Sequence, residues 1–281
     1  RAVCFVDYPG LNLRLAAALR ERGISIKGGG GVKLLFYISP QIWAWKSKRR
    51  FAMARDLDAL AVIFPFEVEC YKDTDLPVEF VGHPFLAPDY QSPVAHDPAA
   101  PILLLPGSRK QAVARILPDL LNGLAAYDSQ APATILYPSE AVLDVIKVAR
   151  PPAHVRCVST GGEPVRASAV LTSSGTMSLH CALAGIPGAI AYRTNPLTYL
   201  LARWWVKLDY IGIANLLLKE PMYPEFIQGA ARPEALAAEL RACLRDPERQ
   251  VRTEAQRQRL AALLNQPALG TVADWLATHL I

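Results

Sequence analysis

Three short segments combine residue types that move protons or bind phosphate groups. Asp7 ends an apolar stretch and precedes a Tyr-Pro-Gly turn. Pro106-Gly107-Ser108-Arg109 follows the apolar run Ile102 to Leu105, and Ser173-Ser174-Gly175-Thr176 follows another apolar run. Glycine and hydroxyl residues at a helix start let backbone N–H groups approach an anion, and arginine adds a bidentate cation. The two later segments together predict a diphosphate site, although each alone is compatible with a surface turn or a helix cap.

The apolar pattern predicts the elements that hold these segments. We expect strands at Ala2 to Val6, Leu34 to Ile38, Leu60 to Phe64, Ile102 to Leu105, Thr134 to Tyr137, Ala169 to Thr172 and Gly188 to Tyr192. We expect helices at Leu11 to Arg22, Phe66 to Tyr71, Pro233 to Leu264 and Leu269 to Ile281. Alternating strands and helices indicate parallel sheets, and ligands bind at the carboxyl ends of such strands. Asp7 and Arg109 both fall at such an end.

A change in composition predicts the domain boundary. The segment from Leu86 to Ala100 is rich in Pro, Asp, Ser, Gln and Ala without periodicity, as linkers are. We therefore predict an α/β protein of two doubly wound domains, residues 1–92 and 93–265, with a ligand between them. A final helix over residues 266–281 is expected, which crosses back over the domains.

Composition excludes several classes of protein. The chain of 281 residues is 52% hydrophobic, which is enough for a sizeable core. No apolar run approaches the roughly 18 residues of a membrane-spanning helix, and the first residues do not resemble a signal peptide, so we expect a cytosolic protein. Its five cysteines are scattered, as reduced thiols are. The net charge of +5 includes no long basic stripe, so nucleic acid is not an expected partner.

Tryptophans beside cations predict contact with a membrane surface. One cluster contains Trp43, Trp45, Lys46, Lys48, Arg49 and Arg50, and another contains Arg203, Trp204, Trp205 and Lys207. Indole rings suit the boundary between apolar and wet layers, while the cations suit anionic headgroups. The alternative is that the tryptophans are core residues and the cations are merely solvated.

Two features are left without a function. Gly28 to Gly31 is a run of four glycines with no P-loop lysine after it, so a flexible or artificial linker is favoured over phosphate binding. His83 follows an apolar strand next to the predicted linker, where a hinge residue and a binding residue are equally compatible with the sequence.

Seven longer motifs occur in the order found in one enzyme family. They are DYPGLN, YISPQIWAWKSKR, PFEVECY, FVGHPF, LLPGSR, SSGTMSLHCALAGIPGAIAYR and WVKLDYIGIANLLL. From Asp7 to Gln228 the chain thereby resembles the lipid-A-disaccharide synthases, which form glycosyltransferase family 19 and have the GT-B fold. The resemblance is carried mostly by the tryptophan motif together with LLPGSR, because turns of the SGT type recur in many GT-B enzymes.

The resemblance implies a reaction and its participants. A 2,3-diacylglucosamine unit passes with inversion from a UDP-2,3-diacylglucosamine donor to an acylated glucosamine 1-phosphate acceptor. The products are a β-1,6 disaccharide and UDP, and neither a metal nor another cofactor is implied. The family works as a peripheral protein on lipids of the inner face of the inner membrane. A homodimer is an assembly that the sequence leaves open.

The resemblance also assigns roles to residues. Asp7 matches the essential aspartate, the candidate base for the acceptor hydroxyl, and Arg109 matches an arginine that contacts UDP. Asn215 matches a nucleotide-side asparagine, while Glu225 and Gln228 match the end of the donor segment. The rest of the predicted donor pocket consists of Ser108, Ser174, Gly175, Thr176, Tyr192 and Arg193.

The chain departs from the family pattern at several points. The family has a glycine-rich loop before the position of Asp7, so we expect an incomplete acceptor side here. Ala112 and His180 stand where glutamate is usual, and Ala214 stands where proline is usual. Two alternatives therefore stay open. One is another GT-B enzyme of UDP-sugars, such as an N-acetylglucosaminyltransferase or an epimerase, and the other is a non-catalytic protein that binds UDP-sugar or lipid.

Overall fold

The chain forms two compact α/β units, each with its own sheet. The computed structural model describes residues 1–195, 209–265 and 270–280. The first unit comprises Arg1–Tyr90 and the C-terminal residues from Ala262 onward, and the second comprises the residues from Gln91 to Ala261. The parallel sheets and intervening helices confirm the predicted α/β class. Within the described residues, no helix is long and apolar enough to cross a membrane.

The first unit contains a four-stranded parallel sheet in the order β1-β2-β3-β4. Its strands are β1 (Ala2–Val6), β2 (Lys33–Tyr37), β3 (Ala59–Val62) and β4 (Val78–Phe80), and its helices include α1 (Pro9–Glu21) and α2 (Arg49–Asp56). Short 3-10 helices occur at Ile26–Gly28, Pro65–Tyr71 and Pro84–Leu86. Because both sheet faces are covered, β2 and β3 are apolar throughout their centres rather than alternating.

Successive residues of the central strands enter two separate cores. Leu34 and Phe36 of β2 pack in a cluster with Met53 of α2. Leu35, between them, faces the other way and packs in a cluster with Trp275. Trp275 lies in the C-terminal helix (Val272–Leu280), and its side chain is 1% exposed. This helix therefore belongs to the core of the first unit.

The second unit contains a six-stranded parallel sheet in the order β12-β11-β10-β6-β7-β8 and a small sheet of β5 and β9. Its strands are β5 (Val94–His96), β6 (Ile102–Leu105), β7 (Ala133–Tyr137), β8 (Val155–Ser159), β9 (Val165–Ala167), β10 (Val170–Thr172), β11 (Gly188–Tyr192) and β12 (Glu225–Ile227). Its helices are α3 (Lys110–Tyr127), α4 (Glu140–Val148), α5 (Thr176–Leu183), α6 (Ile213–Leu218), α7 (Pro233–Arg245) and α8 (Pro247–Leu264). The C-terminal helix of the first unit follows as α9.

Close packing and one buried cation hold the second unit together. Gly123 of α3 lies so near α7 that a Cβ there would be 2.7 Å from the Cβ of Leu236. Arg249 is 1% exposed and donates to the carbonyl groups of Gly188 and Met222 at 3.0 Å. A buried guanidinium is tolerated when its donors are satisfied, and here they fix α8 to the start of β11.

Two loop segments are more ordered than their composition indicates. The segment from Leu86 to Ala100, predicted to be a linker, contains β5, which pairs with β9. Gly28 to Gly31 is not a flexible linker but a compact turn, in which the N–H groups of Gly28 and Gly30 donate to the carbonyl of Ser25 at 2.9 and 2.8 Å. A Cβ on Gly30 would lie 2.2 Å from the carbonyl oxygen of Ile24, so the sequence contains glycine there for steric reasons.

Candidate functional site

The order of the six strands places one crevice at the middle of the sheet. From β6 the chain proceeds through β7 to β8 in one direction, and from β10 through β11 to β12 in the other. β6 and β10 are neighbours, with Leu105 opposite Thr172 at their carboxyl ends. In doubly wound sheets, ligands bind where the strand order reverses in this way.

Both predicted phosphate-binding segments lie at this reversal point. Gly107 follows β6 with φ +107°, and a Cβ on it would lie 3.1 Å from the hydroxyl oxygen of Ser173, which follows β10. Gly175 has φ +146° and open space beside it. The structure therefore brings together Ser108, Ser174, Gly175 and Thr176, as the sequence predicts.

Each of the two turns leads into a helix whose first turn is open to an anion. Neither α3 nor α5 has an acidic residue in its first turn or a hydrogen bond from a capping side chain. The first N–H groups of a helix lack internal partners and carry a partial positive charge. Two such ends beside one crevice are suited to a ligand with two phosphate groups.

Two cavities flank the turns. The first, of about 300 Å³, is lined by Arg109, Ala112, Tyr192 and Arg193 in addition to the turns. The second, of about 260 Å³, is lined by Leu136, Pro138, Thr160 and Met177 in addition to the same turns. The cations are therefore on the β11 side of the turns, and a more apolar space lies on the β7 and β8 side.

The two arginines of the first cavity differ in their surroundings. Arg109 is exposed and makes no ion pair with the part of the chain that the structure describes. Arg193 forms an ion pair with Asp119 of α3, with Nε 2.7 Å from Oδ2. Burial raises the pKa of Asp119 above its usual value, and Arg193 opposes that shift. No short motif indicates Asp119, because its partner Arg193 is 74 residues further along the chain.

Asn215, which is buried, and Glu225 of β12, which is half-buried, form a hydrogen-bonded cluster. The amide of Asn215 donates to Glu225 Oε1 at 2.9 Å and to the Tyr223 carbonyl at 2.6 Å, and it accepts from the Tyr223 N–H at 2.9 Å. Glu225 also accepts from the N–H groups of Ile211 and Gly212. Asn215 is fully buried, so its observed contacts shape the loop, and direct contact with a nucleotide stays a prediction.

Gln228 extends the pairing between β11 and β12. Its side-chain amide accepts from the Thr194 N–H and donates to the Thr194 carbonyl, both at 3.1 Å. This clamp fixes the backbone directly after Arg193. Contact of Gln228 with the nucleotide stays a prediction.

Two histidines were noted in the sequence. His180 of α5 is buried, and burial lowers its pKa to about 4. Its imidazole is therefore neutral near pH 7. His83 belongs to the first unit, where its Nδ1 accepts from the Phe85 N–H and its ring lies 4.4 Å from that of Phe85.

Asp7 lies at the carboxyl end of β1 in the first unit, with its side chain exposed. Asp7 and Tyr8 both have φ +45°, a conformation that non-glycine residues rarely adopt. The turn is held by the Asp7 N–H, which donates to the Tyr37 carbonyl at 2.9 Å, and by Asn12, whose amide donates to the Asp7 carbonyl at 2.7 Å. Strained backbone held by specific contacts is common at catalytic positions.

The predicted membrane-contact residues divide into internal and external groups. Trp43 is half-buried and donates from Nε1 to Glu67 at 3.3 Å. Trp45 is 56% exposed, with Lys46 and Arg49 at 4.5 and 5.4 Å from its ring. Arg50 is bound by Asp73 through two hydrogen bonds. Arg203 and Trp204 lie outside the described residues.

The chain matches one protein family along most of its length. The family model of lipid-A-disaccharide synthetase matches residues 1–271. The lipid-A-disaccharide synthase of Syntrophus aciditrophicus is 34% identical over 99% of this chain and 75% of the relative. That of Nitrosococcus oceani is 35% identical over 96% of this chain and 72% of the relative.

Solved structures support the fold. The calicheamicin glycosyltransferase matches with a TM-score of 0.53 and 16% identity over 99% of this chain and 73% of that one. The α,α-trehalose 6-phosphate synthase of Burkholderia multivorans matches with a TM-score of 0.54 and 12% identity over 99% of this chain and 69% of that one. These similarities show the GT-B fold, and the sequence matches show that the chain belongs to the lipid-A-disaccharide synthase family.

Proposed function

We propose that this chain is a glycosyltransferase that forms the lipid A disaccharide. It transfers 2,3-diacylglucosamine from UDP to 2,3-diacylglucosamine 1-phosphate, giving a β-1,6 linkage with inversion and releasing UDP. The observation that carries the proposal is the pair of glycine turns and open helix ends at the reversal point of the sheet, with Arg109 beside them. The identity of the sugar and of its acyl groups is inferred from family membership.

The two cavities suit different parts of the donor, the diphosphate and the uridine. The diphosphate is bound by the N–H groups at the starts of α3 and α5 and by Arg109, because fixed dipoles and a guanidinium stabilise the charge that develops on departing UDP. The uridine occupies the space between Leu136, Pro138 and Thr160, whose apolar walls and hydroxyl suit a flat, polar ring.

Asp7 is the general base in this proposal. It removes the proton of the acceptor 6-hydroxyl while that oxygen bonds to the anomeric carbon and the bond from this carbon to the diphosphate breaks. The attack and the departure occur on opposite faces of the sugar, which inverts its configuration. An exposed carboxylate can meet a substrate hydroxyl, and the strained turn at Asp7 and Tyr8 fixes its direction.

The acylated substrates imply a lipid surface as a further partner. Trp45, with Lys46 and Arg49 beside its ring, supplies both an amphipathic indole and cations. We assign this group to contact with anionic lipids at the inner face of the inner membrane. Trp43 instead stabilises the segment from inside.

A titration with UDP tests the donor site. Replacing Arg109→Ala is expected to weaken UDP binding by about 1.5–3 kcal/mol, the range for a hydrogen bond to a charged group. Isothermal titration calorimetry measures the change. Arg115→Ala is the matched control, since Arg115 is an exposed cation of the same helix outside both cavities. Equal UDP affinity in the Arg109 variant and the wild type would remove this arginine from the site.

A further inference from the structure

A second cation lines the donor cavity and is held by contacts within the protein. Arg193 follows β11 directly and lines the cavity that Arg109 also lines. The next residue is Thr194, whose N–H and carbonyl are both hydrogen-bonded to the side chain of Gln228. The backbone at the mouth of the cavity is therefore clamped to the end of β12.

The side chain of Arg193 is fixed by a different element. Asp119 lies within α3, the helix whose first turn forms part of the anion site, and it contacts Arg193 Nε at 2.7 Å. The side chain of Asp119 is 16% exposed and that of Arg193 is 42% exposed. The carboxylate is thus the inner partner, and the guanidinium is the outer one.

The contact leaves most of the guanidinium for a ligand. It is made through Nε, whereas the four N–H groups that suit a phosphate are on the two terminal nitrogens. An arginine that is already ordered loses less conformational freedom when an anion binds. A carboxylate that holds such an arginine can therefore strengthen the binding of an anion that it does not touch.

We propose that Asp119 is a positioning residue of the donor site, which acts by holding Arg193 toward the diphosphate of a UDP-sugar. This role rests on the proposed function. Through Asp119, α3 contributes twice to the same ligand: its first turn binds the anion, and its third turn orients the cation that comes from β11.

A double-mutant cycle, measured as UDP affinity by calorimetry, tests the role. Arg193→Ala is expected to weaken UDP binding about tenfold or more, as loss of a charged hydrogen bond does. Asp119→Asn is expected to weaken it about three- to tenfold, the effect of having to order one long side chain on binding. The double variant should match Arg193→Ala within about twofold, because Asp119 acts only through Arg193. Asp119→Glu keeps the charge and should restore most of the affinity.

Controls separate this role from a structural one. Arg259→Ala removes an ion pair with Glu220 in the same unit, outside the cavity, and should not change UDP affinity. Unchanged or tighter UDP binding by Asp119→Asn would overturn the role, as would additive effects in the double variant. If the wild type itself bound no UDP, the proposed donor would fail and the role of Asp119 with it. If the wild type bound UDP and only the Asp119 variants failed to show the expected change in UDP affinity, the role of Asp119 would be wrong while the proposed function would stand.

Discussion

Asp7 has three properties that agree with its proposed role as a general base. Its side chain is exposed, its backbone has φ +45°, and the turn is held by Tyr37 and Asn12 through main-chain atoms of Asp7. An aspartate that capped its own turn would use its carboxylate for that purpose. Here the described contacts that hold the turn leave the carboxylate to the solvent, where a substrate hydroxyl can meet it.

Replacing Asp7→Asn is therefore expected to lower the rate of disaccharide formation by roughly 10²- to 10⁴-fold, the usual contribution of a general base. The amide has the same shape but cannot take a proton, so UDP affinity should be unchanged. Paired measurements of turnover and UDP binding test this. Turnover near that of the wild type would contradict the assignment, whereas loss of UDP binding together with turnover would indicate a structural aspartate.

The sequence predicted some site residues and could not predict others. Arg109, Ser108 and Ser174 belong to local patterns of strand, glycine turn and helix, which are visible in a few consecutive residues. Asp119 and Glu67 act through partners far along the chain, so no short pattern reveals them. Asn215 was expected at the nucleotide, but only the structure shows that its amide is bonded inside the protein.

At the scale of elements, the glycine run shows how composition can mislead. Four consecutive glycines are typical of flexible chains, yet here Gly28 and Gly30 lie against carbonyl oxygens of Arg20, Gly23 and Ile24. Gly28 and Gly30 are required because the turn packs against the end of α1 and the residues directly after it without space for side chains. Sequence composition gives no information about such contacts.

Gly30→Ala should destabilise the protein by about 1–3 kcal/mol or more, since the new methyl group would overlap two backbone carbonyls that cannot move independently. Gly31→Ala is the control within the same run, because nothing lies within 4 Å of the added Cβ. Denaturant unfolding of both variants measures the difference. Equal stability of the two alanine variants would show that the turn can relax.

The segment after β2 contains both an anchor and an exposed surface. Trp43 is bonded to Glu67 and its ring lies 5.4 Å from that of Phe66, so it fixes the segment against the 3-10 helix Pro65–Tyr71. Trp45, two residues later, is more than half exposed. Of these two tryptophans, Trp45 is the more exposed and is the one that we propose meets a lipid.

Each of the substitutions Lys46→Ala and Arg49→Ala should weaken binding to vesicles that contain phosphatidylglycerol by about fivefold, as one cation contributes about 1 kcal/mol at an anionic surface. Trp45→Ala should also weaken binding, but with little dependence on salt. Vesicle sedimentation at two salt concentrations measures both effects. Lys72→Ala is the control, because Lys72 is an exposed cation of the same unit that is paired with Glu69. If Lys72→Ala and Lys46→Ala weakened vesicle binding equally, net charge alone would explain the effect, and the proposed contact at Trp45 would be contradicted.

At the scale of the whole molecule, the alternation of strands and helices sufficed to predict an α/β protein with two sheets. The predicted strands were continuous apolar runs, as β6 and β11 are. The strands that were not predicted are short or half-exposed, such as β8, whose pattern is mostly polar or exposed. These strands form through pairing with neighbours, and a single segment does not reveal its partner.

The two units also contain buried ionisable groups with opposite effects on stability. In the first unit, burial raises the pKa of Glu67 to about 7, against the hydrogen bonds from Phe64 and Trp43 that lower it. Its folded-state pKa lies above the unfolded value, so its contribution to stability is full below about pH 4.5 and is lost as the pH rises to 7. In the second unit, burial lowers the pKa of His180 to about 4. Its contribution is full above the unfolded value near 6.5 and is lost as the pH falls.

Between pH 5 and 6.5 the two groups therefore oppose one another, and the stability of the wild type should vary little. Glu67→Gln cannot ionise, so this variant should lose stability as the pH falls, because burial lowers the pKa of both His180 and His96. In the wild type, the ionisation of Glu67 should change the free energy of unfolding by on the order of 3 kcal/mol over its full range, from 1.36 kcal/mol for each unit of pKa. Calorimetric unfolding of both proteins across this range measures how stability depends on pH.

Glu69→Gln, on the same 3-10 helix but exposed, is the control and should behave as the wild type does. Parallel pH profiles of Glu67→Gln and the wild type would show that Glu67 is not protonated in the folded protein, because a group that is ionised in both states contributes no slope.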